Sequence, residues 1–133
     1  MRVAPIPLAY LTKDGDIRDI ARMGGESAFL THKNPLAYIP AAIEACIIYR
    51  LAKDENPTRE SLKTYIEEGI SICPELYPRE TDSIEHIAYL IDKAIKFHDF
   101  PFSDSECIHG IGEGWTGHDA LAIAIYCAYK YFD

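Results

Sequence analysis

Apolar residues recur along this chain at spacings of three and four, which is the period of an amphipathic helix. Near residues 81–97, Ile84, Ile87 and Ile91 fall on one side of such a helix and Asp82 on the other. The same pattern predicts seven helices, at about residues 3–11, 16–31, 35–53, 58–73, 81–97, 105–111 and 116–132. No stretch alternates convincingly as a strand does, and no linker is long enough to separate domains. We therefore predict an all-α fold, a compact multi-helix bundle that forms a single domain over residues 1–133.

Capping and turn residues mark the boundaries of these helices. Asn34–Pro35 and Asn56–Pro57 each combine a capping residue with a proline that suits a helix start. Pro74 is expected to lie in the loop after the fourth helix. Gly24–Gly25 falls inside the second helix, where each glycine costs about 1 kcal/mol relative to alanine. Such a pair indicates that a neighbouring helix or a ligand approaches the backbone closely there.

Two of the predicted helices, the third and the last, are apolar on most of their faces. In the third, Ile39, Ile43 and Ile47 form one stripe, and Ala41 and Ala45 fill part of the remaining surface. A bundle of 133 residues can shield one such helix more easily than two. We therefore expect the chain to self-associate, or to be complemented by flanking segments.

Charge and hydropathy narrow the range of partners. The chain has 21 acidic and 13 basic residues, a formal net charge of -8 and a pI near 5.0. Nucleic acid is not an expected partner, because binding to the phosphate backbone requires a basic face. The longest apolar run, residues 120–129, is far shorter than the ~20 residues of a membrane span, and no signal-peptide pattern is visible. We expect no membrane partner and a cytoplasmic location.

The four cysteines give no sign of metal binding. Cys46, Cys73, Cys107 and Cys127 form no CxxC pair, so a zinc site is not expected. Cys46, Cys73 and Cys127 lie in apolar stretches and are predicted to be small buried residues of the core.

Three segments carry the chemistry of the chain. Residues 1–10 contain Met-Arg-Val-Ala-Pro and then Leu-Ala-Tyr; residues 26–35 contain Glu-Ser-Ala-Phe-Leu-Thr-His and then Asn-Pro. Residues 112–127 contain Gly-Glu-Gly-Trp and then Asp-Ala-Leu-Ala-Ile-Ala-Ile-Tyr-Cys. In this order and separation they resemble the central part of the ADP-ribosylglycohydrolase family, which includes the dinitrogenase-reductase-activating glycohydrolase and the ADP-ribosyl-arginine and ADP-ribosyl-serine hydrolases. The resemblance covers essentially the whole chain.

The resemblance implies an all-α hydrolase that cleaves the glycosidic bond between ADP-ribose and a protein side chain with the help of two magnesium ions. In that family the ions are held by a Thr-Asp-Asp segment near the N-terminus and by a Gly-Asp-Ser/Thr-Asp-Ser/Thr segment after the Ala-Leu-Ala-Ile helix. Neither segment occurs in residues 1–133, and the glycines that precede Met-Arg in the family pattern are also missing. We therefore expect a truncated family domain that binds no magnesium and is inactive by itself, with at most weak binding of an ADP-ribose-like ligand.

The resemblance also assigns three substrate-side residues. Arg2 follows the position of the missing glycine loop, and its alternative role is that of a buried structural arginine. His32 matches a position beside the ADP-ribose cleft, although a histidine near a helix end could instead cap carbonyl groups. Trp115 matches a position lining the cleft, with a core anchor as the alternative. His118–Asp119 departs from the Glu-Glu pair common at this place, but an acid there still suits the first turn of a helix.

Two other functions are compatible with the residues. The dipeptides His98–Asp99 and His118–Asp119, with His32 or His86 as an earlier ligand, are similar to the pattern of HD-type metal-dependent phosphohydrolases, which place ligands on several helices. Alternatively, the chain is a non-catalytic scaffold or oligomerisation module, which its two apolar helices favour.

Overall fold

Helices account for the regular structure of this protein. The computed structural model describes residues 3–132, and no strand occurs within that range. The elements are α1 (Pro5–Ala9), α2 (Ile17–Phe29), α3 (Pro35–Lys53), α4 (Arg59–Leu76), α5 (Thr81–Lys96), a 3₁₀ turn (Phe97–Asp99), α6 (Asp104–Ile111) and α7 (Gly117–Lys130). The prediction of an all-α fold with seven helices is confirmed for the described residues.

Helix α3 forms the centre of the bundle. Asn34 accepts a hydrogen bond from the backbone N–H of Leu36 at 2.9 Å, and Pro35 opens the first turn, as the sequence predicts. Most of the helix is buried against α2, α4 and α7, with additional contacts to α1 and α5. Within residues 3–132, α3 is the one helix long and apolar enough to cross a membrane, but 56% of its most apolar window is buried inside the bundle. The core helix of a soluble protein has the same length and hydropathy.

The end of α4 differs from the prediction. The helix continues past Cys73 to Leu76 and includes Pro74, which was expected in the following loop. Pro74 lacks one N–H group, but the N–H of Tyr77 donates to the carbonyl of Cys73 at 2.8 Å and closes the final turn. The added turn also packs Leu76 against a buried cluster that includes Ile72. Apolar burial therefore offsets the one hydrogen bond that the proline removes.

The glycine pair of α2 lies where two neighbouring elements come close. A Cβ atom at Gly24 would stand 2.6 Å from the Cβ of Ala45 and 2.8 Å from the carbonyl oxygen of Ala41, both on α3. A Cβ atom at Gly25 would overlap the hydroxyl of Tyr77. The close approach that the sequence indicates is therefore made by protein, because α3 and Tyr77 occupy this space.

One prediction about the cysteines is wrong. Cys46, Cys73 and Cys107 are buried and free, whereas Cys127 is exposed on α7. Burial raises the pKa of the Cys46 and Cys73 thiols to about 12, which suppresses the reactive thiolate. Cys127 faces solvent because the bundle covers only one side of α7, and the adjacent Tyr126 takes the buried position. An apolar stretch of sequence does not show which side of its helix meets the core.

Candidate functional site

The starts of α3 and α7 lie against each other. A Cβ atom at Gly117, the first residue of α7, would be 2.9 Å from the carbonyl oxygen of Leu36 and 3.0 Å from the Cα of Ala37. Residues of both helices also meet in the main core cluster, among them Ile43 and Ile125. Two helix starts therefore face the same end of the bundle, where their free N–H groups and dipoles give partial positive charge. The loops that enter these helices contain His32 and Trp115.

His32 lies in the turn between α2 and α3 and is exposed. Its backbone N–H donates to the carbonyl of Ala28 at 2.9 Å and closes the end of α2. The ring Nδ1 lies 2.8 Å from the hydroxyl oxygen of Thr31, which in turn donates to the carbonyl of Ala28 at 3.3 Å. The capping contact is thus made by the backbone of His32, and the ring is oriented by Thr31 toward the loop surface.

Trp115 lies in the turn between α6 and α7, with 89% of its surface exposed. The turn depends on Gly114, whose φ of 77° lies in the left-handed region that favours glycine. A Cβ atom at Gly114 would contact Ile123 of α7 at 3.6 Å, so the turn folds back on that helix. The alternative role of Trp115 as a core anchor is therefore wrong, because the indole lies outside the core.

Arg2 lies outside the described residues, so its predicted role stays a prediction. The first described residue, Val3, is 5% exposed and belongs to a buried cluster with Ile20, Ala41 and Tyr49. Val3, in the middle of the Met-Arg-Val-Ala-Pro segment, is thereby packed against α2 and α3.

A group of polar side chains, His86, His118 and Asp119, lies at the start of α7. The sequence indicated this group only weakly. The imidazole of His118 is 11% exposed; its Nδ1 is buried without a hydrogen-bond partner and its Nε2 lies 3.5 Å from Asp119 Oδ1. The ring centroid of His86, on α5, lies 5.2 Å from that of His118. Asp119 occupies the first turn of α7, as expected from the helix dipole, and its carboxyl group packs against the backbone of Gly112. The sequence named His86, His118 and Asp119 as candidates, but it did not indicate that His86 contacts His118, since that contact is made between distant helices.

The two His-Asp dipeptides do not form one centre. His98 packs edge-on against Tyr129, near the end of α7, with ring centroids 4.9 Å apart, whereas His118 lies at the start of α7. Tyr129 lies eleven residues after His118 in α7, which corresponds to about 16 Å along the helix axis. The Nδ1–H of His98 donates to the carbonyl of Ile95 at 2.6 Å, and its Nε2 lies 3.0 Å from Asp99 Oδ1. Neither dipeptide is joined by enough further His or Asp side chains to hold a metal ion within residues 3–132, so the ligand arrangement of an HD-type phosphohydrolase is not formed there.

The residues present do not fit a magnesium centre of their own. Among residues 3–132, no group of three or more His, Cys, Asp or Glu side chains is placed to hold a metal ion. Magnesium prefers several oxygen ligands at octahedral geometry, and His86 and His118 offer nitrogen instead. No catalytic step can be derived through magnesium from this arrangement.

Comparisons with known proteins identify a family. The model of the ADP-ribosylglycohydrolase family matches residues 1–133. The ADP-ribosylhydrolase ARH3 of Gallus gallus is 33% identical over 103 residues, which are 77% of this chain and 24% of that protein. The ADP-ribosylhydrolase ARH3 of Homo sapiens is 25% identical over 139 aligned positions, covering 96% of this chain and 36% of that protein. The chain thus spans about a quarter to a third of the length of these curated relatives. No solved structure matches it.

Proposed function

Because the chain belongs to the ADP-ribosylglycohydrolase family, we propose that it forms the substrate-facing part of a site for ADP-ribosyl hydrolysis. The reaction is hydrolysis of the glycosidic bond between ADP-ribose and a protein side chain. The observation that carries the proposal is the family match over residues 1–133. The two curated relatives are named ADP-ribosylhydrolases, which supports the same reaction class.

The end of the bundle where α3 and α7 start has the chemistry that an ADP-ribose-like ligand requires. The N-terminal end of α3, which has no acidic residue in its first turn, favours a pyrophosphate, whereas Asp119 offsets part of the positive charge at the adjacent start of α7. Trp115 offers an exposed indole on which a base can stack. His32, oriented by Thr31, offers a ring nitrogen to a phosphate or a ribose hydroxyl. For Arg2, which lies outside the described residues, a substrate-side role rests on the family resemblance alone.

We further propose that residues 1–133 alone do not catalyse the reaction. Magnesium ions of the kind that the family resemblance implies would supply Lewis-acid chemistry at the ribose, but the described residues form no group of three or more His, Cys, Asp or Glu side chains that could hold such an ion. The role of this chain is then limited to binding and orienting the ADP-ribose group.

An activity assay tests this second statement. The purified chain is incubated with ADP-ribosylated protein and magnesium, and free ADP-ribose is measured. We expect no release above the enzyme-free control, while circular dichroism confirms that the sample is helical. Release of ADP-ribose that depends on magnesium and on the chain would contradict the proposal.

Isothermal titration calorimetry with ADP-ribose tests the proposed binding site. We expect weak binding to the chain, and Trp115→Ala should lower the affinity at least about fivefold, since stacking of a base on an aromatic ring contributes about 1–3 kcal/mol. Tyr89→Ala is the matched control, because Tyr89 is another exposed aromatic residue, 66% exposed on α5. Equal losses in both variants, or no binding to the unaltered chain at millimolar ligand, would overturn the assignment.

A non-catalytic scaffold is the second candidate function. The observation that favours it is the exposed apolar side of α7, where Ala124 and Cys127 face solvent. A scaffold role for the exposed side of α7 is compatible with ligand binding at the N-terminal end of this helix.

A further inference from the structure

We propose that Gly112 and Asp119 are positioning residues that hold Trp115 in place for an ADP-ribose-like ligand. Residues 112–116 connect α6 to α7, and we call them the Trp115 loop. The inference rests on the proposed function, because it concerns the same end of the bundle. It assigns a role to two residues that act on the ligand through the indole and not by contact of their own.

Gly112, the first residue of the Trp115 loop, touches the carboxyl group of Asp119. A Cβ atom at Gly112 would stand 2.5 Å from Cγ of Asp119, 2.6 Å from its Oδ1 and 2.7 Å from its Oδ2. The backbone of Gly112 is extended, with φ of 171° and ψ of -179°, a conformation open to other residue types. Glycine is therefore required here by the space that the carboxyl group occupies, and not by the backbone angles.

Asp119 is itself held from its other side. It lies in the first turn of α7, where the helix dipole favours an acidic side chain, and only 19% of that side chain is exposed. Its Oδ1 lies 3.5 Å from Nε2 of His118, whose largely buried imidazole packs against His86 of α5. The carboxyl group therefore has little room to move away from Gly112.

The end of α6 is held against its neighbours as well. The N–H of Gly112 donates to the carbonyl of Ile108 at 3.0 Å and closes the last turn. Two residues earlier, the carbonyl of Gly110 accepts a hydrogen bond from Nζ of Lys93, on α5, at 2.6 Å. A Cβ atom at Gly110 would stand 2.9 Å from Cε2 of Phe97, so the end of α6 also packs closely on the 3₁₀ turn. The loop thus starts from a fixed point.

Trp115 lies between the two residues that touch, three positions after Gly112 and four before Asp119. The indole is almost fully exposed, so packing of its own side chain does little to orient it. The contact between Gly112 and Asp119 instead closes residues 112–119 into a short loop, which restricts the backbone at its centre. A ligand that stacks on an indole already held in place loses less conformational entropy on binding.

Time-resolved fluorescence anisotropy tests this positioning directly, because Trp115 is the one tryptophan of the chain. Gly112→Ala and Asp119→Ala should each increase the fast anisotropy decay that reports local motion of the indole. Both changes together should add no more motion than either alone, since they remove the same contact. Asp119→Asn should keep the decay of the unaltered chain, because asparagine has the shape of aspartate.

Gly15→Ala is the matched control. A Cβ atom at Gly15 would stand 3.0 Å from Cδ1 of Tyr10, so this change also crowds a loop glycine, but in the connection between α1 and α2. It should leave the motion of the indole unchanged. Circular dichroism checks that every variant is helical. If Gly112→Ala does not fold, Asp119→Ala carries the test, because it removes atoms and introduces no overlap.

Quenching of Trp115 fluorescence by ADP-ribose measures the consequence for binding. Gly112→Ala and Asp119→Ala should weaken the affinity about three- to tenfold, the loss expected when a side chain must be ordered on binding. Asp119→Asn and Gly15→Ala should keep the affinity of the unaltered chain.

The outcomes separate this inference from the proposed function. An indole that is equally immobile in Gly112→Ala, Asp119→Ala and the unaltered chain would overturn the positioning role. A mobile indole with unchanged affinity for ADP-ribose would overturn the effect on binding. If ADP-ribose does not bind to the unaltered chain, the proposed function fails and the effect on binding fails with it. The anisotropy decays still decide in that case whether the contact between Gly112 and Asp119 orients the indole.

Discussion

Gly25 determines, by the absence of a single methyl group, how closely α2 can approach Tyr77. A Cβ atom there would overlap the Tyr77 hydroxyl and would stand 3.2 Å from its ring carbon Cζ and 3.3 Å from the carbonyl oxygen of Tyr38. Tyr77 is packed against Tyr38, with ring centroids 5.3 Å apart, and cannot move away freely. Steric exclusion at this contact therefore outweighs the gain of up to about 1 kcal/mol that alanine has over glycine within a helix.

Gly25→Ala should lower the free energy of unfolding by about 1–3 kcal/mol, the usual cost of overpacking. The loss should be much smaller in a Tyr77→Phe background, because the overlapping hydroxyl is then absent. Urea denaturation of the four members of this double-mutant cycle measures the coupling. Glu26→Ala, an exposed change on the same helix, serves as the control. Equal losses in both backgrounds would show that the hydroxyl is not the source of the strain.

The individual residues of the site were only partly predictable. His32 and Trp115 were chosen by resemblance, and the structure places both on the exposed loops that enter α3 and α7. The contact of His86 with His118 could not be found from the sequence, because 31 intervening residues and a different helix separate them. The role of each residue in binding stays a prediction.

At the scale of helices, the carboxylate of Asp104 links α6 to α7 through hydrogen bonds. Asp104 lies in the first turn of α6. It accepts hydrogen bonds from Lys130 and Tyr126 near the end of α7 and from Tyr131, the residue that follows this helix. The hydrogen bond from Lys130 has the largest effect on the pKa of Asp104, and the bonds from Tyr126 and Tyr131 act in the same direction. Together they hold this pKa well below its ordinary value. Burial, together with the bond to Asp104, raises the pKa of Tyr126 to about 12. The carboxylate is therefore bound in its charged form in the folded protein.

This contact predicts a defined acid dependence of stability. The unfolded chain takes up a proton on Asp104 near its ordinary pKa of 3.8, whereas the folded chain does so only at lower pH. The stabilisation is thus fully present above about pH 4–5 and is lost as the pH falls further. Asp104→Asn should lower the melting temperature at pH 7 and make it less sensitive to acid between about pH 4 and 2.

Asp92→Asn is the control for this prediction, because Asp92 pairs with Lys96 at 2.6 Å on the open surface of α5 and is 58% exposed. Exposed pairs of this kind contribute little to stability. A melting temperature of Asp104→Asn that follows the same acid profile as the unaltered chain would show that the network does not stabilise the fold through ionised Asp104.

Helix positions were more predictable than helix ends. Asn34 caps α3 and Pro35 opens it as expected, because capping and proline geometry are local. The same prediction for Asn56–Pro57 is wrong, since α4 begins at Arg59 and is capped by Thr58, whose hydroxyl accepts a hydrogen bond from the N–H of Ser61 at 3.1 Å. The end of α4 was missed because the local signal of Pro74 favours a stop, whereas the burial of Leu76 comes from other helices. Local chemistry determines where a helix can start, but packing can extend it.

At the scale of the whole molecule, the two apolar helices have different surroundings. Helix α3 is enclosed by its neighbours, whereas α7 is covered on one side only. The sequence indicated that one bundle would shield two such helices poorly, and the structure identifies α7 as the one left open. The proposed ADP-ribose site includes the start of this helix, and the second candidate function uses its exposed side.

The sequence by itself determined the helical period, the helix starts and the family of this protein, because these depend on residue types at short spacing and on the order of motifs. Only the tertiary structure decided which apolar positions are buried, as Cys127 and Trp115 show. Cys127 belongs to an apolar segment and Trp115 to one of the three family-like segments, but no other element covers either side chain. Burial depends on what packs against a residue from elsewhere in the chain, and that information lies in the fold and not in the local pattern.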